Sequence, residues 1–346
     1  MGTSGVDMDF ITTTSMVSSL LNTTDLINST ERRSSSSVSP TMYISIFLIW
    51  APGIVTNIFA LTFIIRDIRK AVFPALLLLL VLCTADLIAV SFSVVKHTIA
   101  KKVTPSFESC AAFSVVHTFF RIYAGVVNAL MAIDRVLAIC TPFFYKRCID
   151  VTTWKLVCLI SAMVVLFFNC FPLLGLGSVM GIRSSGAIYC TALSFKNEPI
   201  ERVYGFGFGI VGTICVTTVV VCNMILIRSI LKMNNRITNL KTSESSSEQN
   251  SDGQPNTSVT SFEVAFAKLM GGLATVYLVC GTPYNALILI NQFNIKVNPA
   301  VTGYIHLLGG FSYTADPIVY ILIRKTNRKR ILEYICRCKR DVEAIK

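Results

Sequence analysis

The sequence predicts an all-α membrane protein: a bundle of seven transmembrane helices followed by a short amphipathic eighth helix. Three observations carry that prediction. Hydrophobic residues fill 53% of the 346 positions and charged residues only 14%, with a mean hydropathy of +0.63, whereas a soluble domain carries about a quarter charged residues. The apolar residues gather into seven stretches of membrane-crossing length. The net charge of +12 sits in short blocks between those stretches, as membrane topology requires and as nucleic-acid binding does not.

The longest clue is the stretch from Cys110 to Arg135, CAAFSVVHTFFRIYAGVVNALMAIDR. At ~1.5 Å rise per residue it spans roughly 38 Å, enough to cross the ~30 Å hydrocarbon core and emerge on both sides. Its far end pairs Asp134 with Arg135, neighbours able to share a charge-assisted hydrogen bond.

In chain order, residues 1–41 are rich in Ser and Thr and carry the sequons at Asn22 and Asn28, so they read as a disordered, glycosylatable extracellular tail. The transmembrane domain is expected over 42–323. Its first span, about 42–65, holds Asn57 one turn after Gly53, with Pro52 as a kink. The second, about 73–95, carries one acid, Asp86, deep in LLLLLVLCTADLIAVSF. An intramembrane carboxylate is expensive, so Asp86 marks an ion site or a buried polar network, or is a protonated structural group.

After Asp134 and Arg135, the run from Pro142 to Arg147 reads as a basic-aromatic loop. A fourth span, about 152–174, ends in the breaker-rich NCFPLLGLG, and the loop that follows holds Arg183 and Cys190. The fifth, about 203–227, carries Gly205, Gly207, Gly209 and Gly212, small residues that admit close helix contact. Residues 233–260 are polar and low in complexity, hence a disordered loop. The sixth span, about 264–290, carries Pro283, and the seventh, about 300–323, carries Ser312, Asp316 and Pro317. Residues 324–346 alternate cations with Ile331, Leu332, Tyr334 and Ile335, which fits an amphipathic surface helix and a tail palmitoylated at Cys336 and Cys338.

Seven spans put the chain ends on opposite sides. In this topology 21 of the 31 Lys and Arg residues fall on one side and nine on the other, with Arg121 inside the membrane. The excess orients the N-terminus outward, for a multi-pass protein of the plasma membrane. Cys110 and Cys190 are then the cysteines at the extracellular loops, where oxidising conditions favour a disulfide.

Asn57, Asp86, Cys110 with Arg135 twenty-five residues on, Cys190, Pro283 and Asp316-Pro317-x-x-Tyr320 together resemble the rhodopsin-like (class A) G-protein-coupled receptors. The resemblance covers about 43–340. It implies a receptor rather than an enzyme, a ligand pocket on the extracellular side, and an inner groove where Arg135 contacts a heterotrimeric G protein. A narrower likeness points to prostanoid receptors of the prostaglandin E2 type. It rests on MAIDRVLAICTPFFYKR, FPLLGLG, GAIYC and DPIVYIL, on Asp316 in place of Asn, and on the missing span-five proline.

Departures from that subfamily are equally specific. Leu307 stands where its carboxylate-binding arginine lies, Ala187-Ile188-Tyr189 replaces Gly-Thr-Trp, and Ser178-Val179 replaces Arg-aromatic. Other receptor types fit worse, since His117 stands where an aminergic receptor has Asp, and Gly310 where an opsin has its Schiff-base lysine. The transporter alternative would show internal repeats, and the seven spans share none.

The ligand expectation is therefore a prostanoid-like lipid acid, with a different lipid or a peptide as the alternative. His117 and Arg121 lie one turn apart on one helix face, with Arg121 roughly 16 Å below Cys110. Arg121 meets either a ligand carboxylate or an internal acceptor. Arg183 and His306 are further pocket candidates beside Leu307. Asn57, Asp86, Ser312 and Asp316 form the expected polar core, in which the two acids share a proton or a bound sodium ion. No other cofactor, no metal centre and no nucleic-acid partner is expected.

Overall fold

The computed structural model describes residues 49–99, 106–176, 180–182, 188–190, 199–244, 261–293, 295, 297–323, 327–329 and 333. Eight α-helices and one small hairpin account for nearly all of them: α1 Ala51–Ile68, α2 Pro74–Ile99, α3 Phe107–Cys140, α4 Pro142–Cys148, α5 Val151–Asn169, α6 Pro199–Glu244, α7 Ser261–Gln292 and α8 Pro299–Ile323, with β1 Met180–Ile182 and β2 Ile188–Cys190. All but α4 are bundle helices. Six are long and apolar enough to cross a membrane. The seventh, α8, is 25 residues long, and His306, Asp316 and Pro317 dilute its hydropathy.

The helices close a ring, α1 against α2, α2 against α3, α3 against α6, α6 against α7, α7 against α8 and α8 back to α1, and α3 also touches α5 and α7. α3 thus packs against four of the other bundle helices, α2, α5, α6 and α7. It is also well defined at its start, where Ser106 Oγ accepts from Ser109 N–H at 3.3 Å and Glu108 lies in the first turn, where the helix dipole favours an acid.

Several local expectations are corrected. Pro52 is the second residue of α1, which directly follows the π-helical residues Ile49 and Trp50, so the regular α-helix begins at the proline. The expected loop Pro142 to Arg147 is a short helix, α4, again opened by a proline. The polar loop expected from residue 233 begins later, because α6 runs on to Glu244. Met233, Ile237 and Leu240 recur in the sequence at helical spacing.

The breaker-rich end of the fourth span resolves into a 3₁₀ turn, Phe171–Leu174, closed by Gly175 at φ +84°, a left-handed value that glycine adopts without strain. At its start, Asp150 accepts from the Thr153 N–H and hydroxyl, each at 2.7 Å. Those donors hold the Asp150 carboxyl below its ordinary range. Beyond Gly175 the chain forms the β1–β2 hairpin, Met180 facing Cys190. Cys190 is bonded to Cys110, with Cα atoms 4.8 Å apart, so the hairpin is stapled to the first turn of α3 as expected.

The glycines of α6 act as the sequence suggests. A Cβ at Gly205, Gly209 or Gly212 would collide with Gln292, Leu289 or Asn285 of α7. Pro283 and Pro317 both lie inside their helices. Residues 327–329 and Glu333 are helical, while the rest of the expected amphipathic segment, with Cys336 and Cys338, lies outside the described residues, as do Asn22, Asn28 and Arg183.

Candidate functional site

Midway along α3, the face bearing Arg121, Gly125 and Asn128 looks into a cavity of about 70 Å³. That is room for roughly five waters. Residues of α2, α3, α6, α7 and α8 line it, including Asp86, Arg121, Tyr284, Asn285 and Asp316.

Arg121 reaches across this space to α7. Its Cζ stands 3.2 Å from the centroid of the Tyr284 ring, a cation–π contact. His306 of α8 meets the same ring edge-on, with centroids 5.3 Å apart. The guanidinium lies against Gly309, where a Cβ would meet Arg121 Nη2 and make it shift. Among the described residues Arg121 has neither an ion-pair nor a hydrogen-bond partner. This cation therefore has an aromatic face beneath it and, among the described residues, no paired anion.

Below lie the two acids. Asp86 is 1% exposed and Asp316 3%. Both oxygens of Asp86 and Oδ1 of Asp316 have no hydrogen-bond partner among the described residues, and neither has Asn57 Oδ1. The Asn57 amide nitrogen is held, donating to the carbonyls of Gly53 and Tyr313 at 2.8 Å each. Ser312 donates to its own helix, at Gly309 O, 2.9 Å. Asp86, Ser312 and Asp316 thus share one cavity with Arg121, and Asn57 adjoins it through Tyr313.

The remaining pocket candidates stand apart. His117 stacks on Phe113, with centroids 6.5 Å apart, and neither it, His306 nor Leu307 lines the cavity. His306 is tied to it indirectly, through Tyr284.

At the other end of α3, Asp134 is fully buried and Arg135 9% exposed. Arg135 Nε donates to Asp134 Oδ2 at 2.9 Å, and Nη2 donates to the same oxygen. The second carboxylate oxygen accepts from the Tyr145 hydroxyl of α4 at 2.6 Å. Burial, and then the Asp134 charge, push the Tyr145 hydroxyl above its ordinary value. A small cleft bordered by Asn128, Arg135, Asn223 and Met270 opens beside the pair.

Tyr145, Tyr284 and Asn285 are the functional side chains that the sequence reading missed. Tyr145 carries a usable signal, a hydroxyl eleven residues past Asp134 with Pro142 turning the chain between them. Tyr284 and Asn285 directly follow Pro283, and only the rotation of α7 decides which way they face.

A search among curated proteins returns no match. A family model described as 7 transmembrane receptor (rhodopsin family) matches residues 27–320, which takes in the first six bundle helices, most of the seventh, the disulfide, and the Asp134–Arg135 pair. With that match covering most of its length, the chain belongs to the rhodopsin family of seven-transmembrane receptors, which signal through G proteins and are not enzymes.

Proposed function

We propose that this receptor resides in the plasma membrane with its N-terminus outside, and that its ligand is a lipid acid of the prostanoid type. The observation that carries the ligand reading is Arg121: a guanidinium in the bundle cavity, resting on Tyr284 and lacking any anionic partner among the described residues. A cation held at membrane depth is costly until an anion meets it. A ligand carboxylate supplies that anion, and Ile122, Phe208 and Val211 on the same cavity wall suit an apolar chain. Leu307 lacks the charge that prostanoid receptors place there, so the anionic contact moves to α3. The excess of Lys and Arg at the Arg135 side supports the orientation. Glycans at Asn22 and Asn28 and lipids at Cys336 and Cys338 follow from it.

The test is Arg121→Ala with a prostaglandin E2 panel and its methyl esters. Loss of a charge-assisted contact should cost about 1.5–3 kcal/mol, roughly ten- to a hundred-fold in affinity. Esterification should cost the parent receptor a similar amount and the variant little. Equal binding of acid and ester to the parent would leave a neutral lipid or a peptide as the better reading.

We further propose that the lower acids hold a sodium ion. The unpartnered oxygens of Asp86, Asp316 and Asn57 are the hard donors such an ion prefers. Agonist affinity should then differ between sodium and a large organic cation. Identical affinity in both would favour a shared proton.

A further inference from the structure

We propose that Asn285 Oδ1 is a fixed hydrogen-bond acceptor in the Arg121 cavity, selecting acidic ligands that also carry a hydroxyl. The orientation of the amide is determined by a short chain of donors. Thr213 commits its one hydroxyl proton to the Gly209 carbonyl at 2.8 Å. Its oxygen is left to accept, and it does so from Asn285 Nδ2 at 3.0 Å. A flipped amide would draw the Thr213 proton away from the Gly209 carbonyl, so the arrangement that keeps both hydrogen bonds has Oδ1 turned away from Thr213.

That oxygen lies over Gly212, where any Cβ would collide with it. It is buried and has no hydrogen-bond partner among the described residues. A buried acceptor without a donor is costly, and such groups in native proteins are satisfied by water or by a ligand. Asn285 lines the same cavity as Arg121. It also follows Tyr284 directly, about 3.8 Å away between Cα atoms, so the residue supporting the cation and the residue offering the acceptor move together on α7.

The cavity therefore presents a cation and, at a set distance from it, a neutral acceptor. A ligand that complements both has an anionic head and a separate O–H. The inference rests on the lipid-acid reading of the Arg121 site and narrows it to hydroxylated acids. A site built to accept a hydrogen bond rejects the analogue lacking the donor, because its own buried oxygen is then left unpaired.

The experiment measures binding to the full-length receptor in lipid nanodiscs. The probes are prostaglandin E2, its analogues each lacking one hydroxyl, ricinoleic acid with its deoxy counterpart oleic acid, and the methyl esters of all. On the parent, removing one hydroxyl should cost about tenfold or more. In Asn285→Leu the cost should fall to about twofold or less. Gly212→Ala, which sets a methyl where Oδ1 lies, gives a second reading should Asn285→Leu fail to reach the membrane, with the same loss of discrimination expected.

Equal affinity of hydroxylated and deoxy probes on the parent overturns the proposal and assigns Oδ1 to a bound water, while an acid–ester difference in the same data keeps the lipid-acid reading. Discrimination that persists in both variants also overturns it. Discrimination without an acid–ester difference upholds Asn285 as the acceptor and removes the carboxylate from the reading. If no acid binds the parent, both fall.

Discussion

Two arginines on one helix, roughly 21 Å apart by helix rise, meet opposite surroundings. Arg135 lies against Asp134, which in turn accepts from Tyr145, so the buried pair at that end is matched within the described chain. Arg121 faces an aromatic ring, with two carboxylates further down the cavity whose oxygens are mostly unpartnered. A matched cluster is a lock, stable until something displaces a member. An unmatched one is a receptacle, because no described residue supplies the missing partners. On this reading α3 carries a receptacle at mid-depth and a lock at its end, and signalling consists of a guest in the first loosening the second.

The sharpest way to break the contrast is to open the lock without a guest. Asp134→Asn leaves Arg135 without its counter-charge, and loss of one partner of a buried pair costs on the order of 3 kcal/mol. Basal second-messenger output at matched surface expression should rise severalfold. Tyr145→Phe removes one hydrogen bond to the same carboxylate, about 1.5 kcal/mol, and should raise basal output less. A Tyr145→Phe receptor more active than Asp134→Asn, or an Asp134→Asn receptor no more active than the parent, would show that the pair does not restrain signalling.

The lock was legible in the sequence and the receptacle only half so, for a physical reason. Asp134 and Arg135 are adjacent, so their pairing needs no knowledge of how helices pack. Cys110 and Cys190 were legible because topology leaves few cysteines at that end, and Gly205, Gly209 and Gly212 because small residues at helical spacing already imply a close neighbour. Asp86, Arg121 and Asp316 announced themselves as charges in apolar stretches. What the sequence could not supply was rotation about each helix axis. That angle puts Tyr284 under Arg121 and leaves His117 and Leu307 off the cavity wall, and it makes Gly309 a seat for a guanidinium. The extension of α6 to Glu244 was missed differently: average composition over 233–260 hid the periodic Met233, Ile237 and Leu240.

The smallest expected effect tests whether the receptacle is open space. Gly281 lines the cavity, and the nearest atoms to a Cβ built there are those of the Tyr277 ring, at 3.4 to 3.8 Å, ordinary contact distances. Gly281→Ala therefore adds one methyl beside the cavity without displacing a neighbour. Replacing an interior helical glycine by alanine contributes about 0.5–1 kcal/mol to stability. The unliganded receptor should melt slightly higher, and basal signalling should stay at the parent level because the Asp134–Arg135 pair is untouched. Gly309→Ala on the same cavity provides the contrast, since its methyl meets Arg121 Nη2 and should move the guanidinium off Tyr284, weakening acid binding by the worth of a cation–π contact, about 0.5–2 kcal/mol. Should Gly281→Ala instead lower the melting temperature, the space beside it is filled, and the account of an unmatched interior would have to give way to one in which an occupant already sits there.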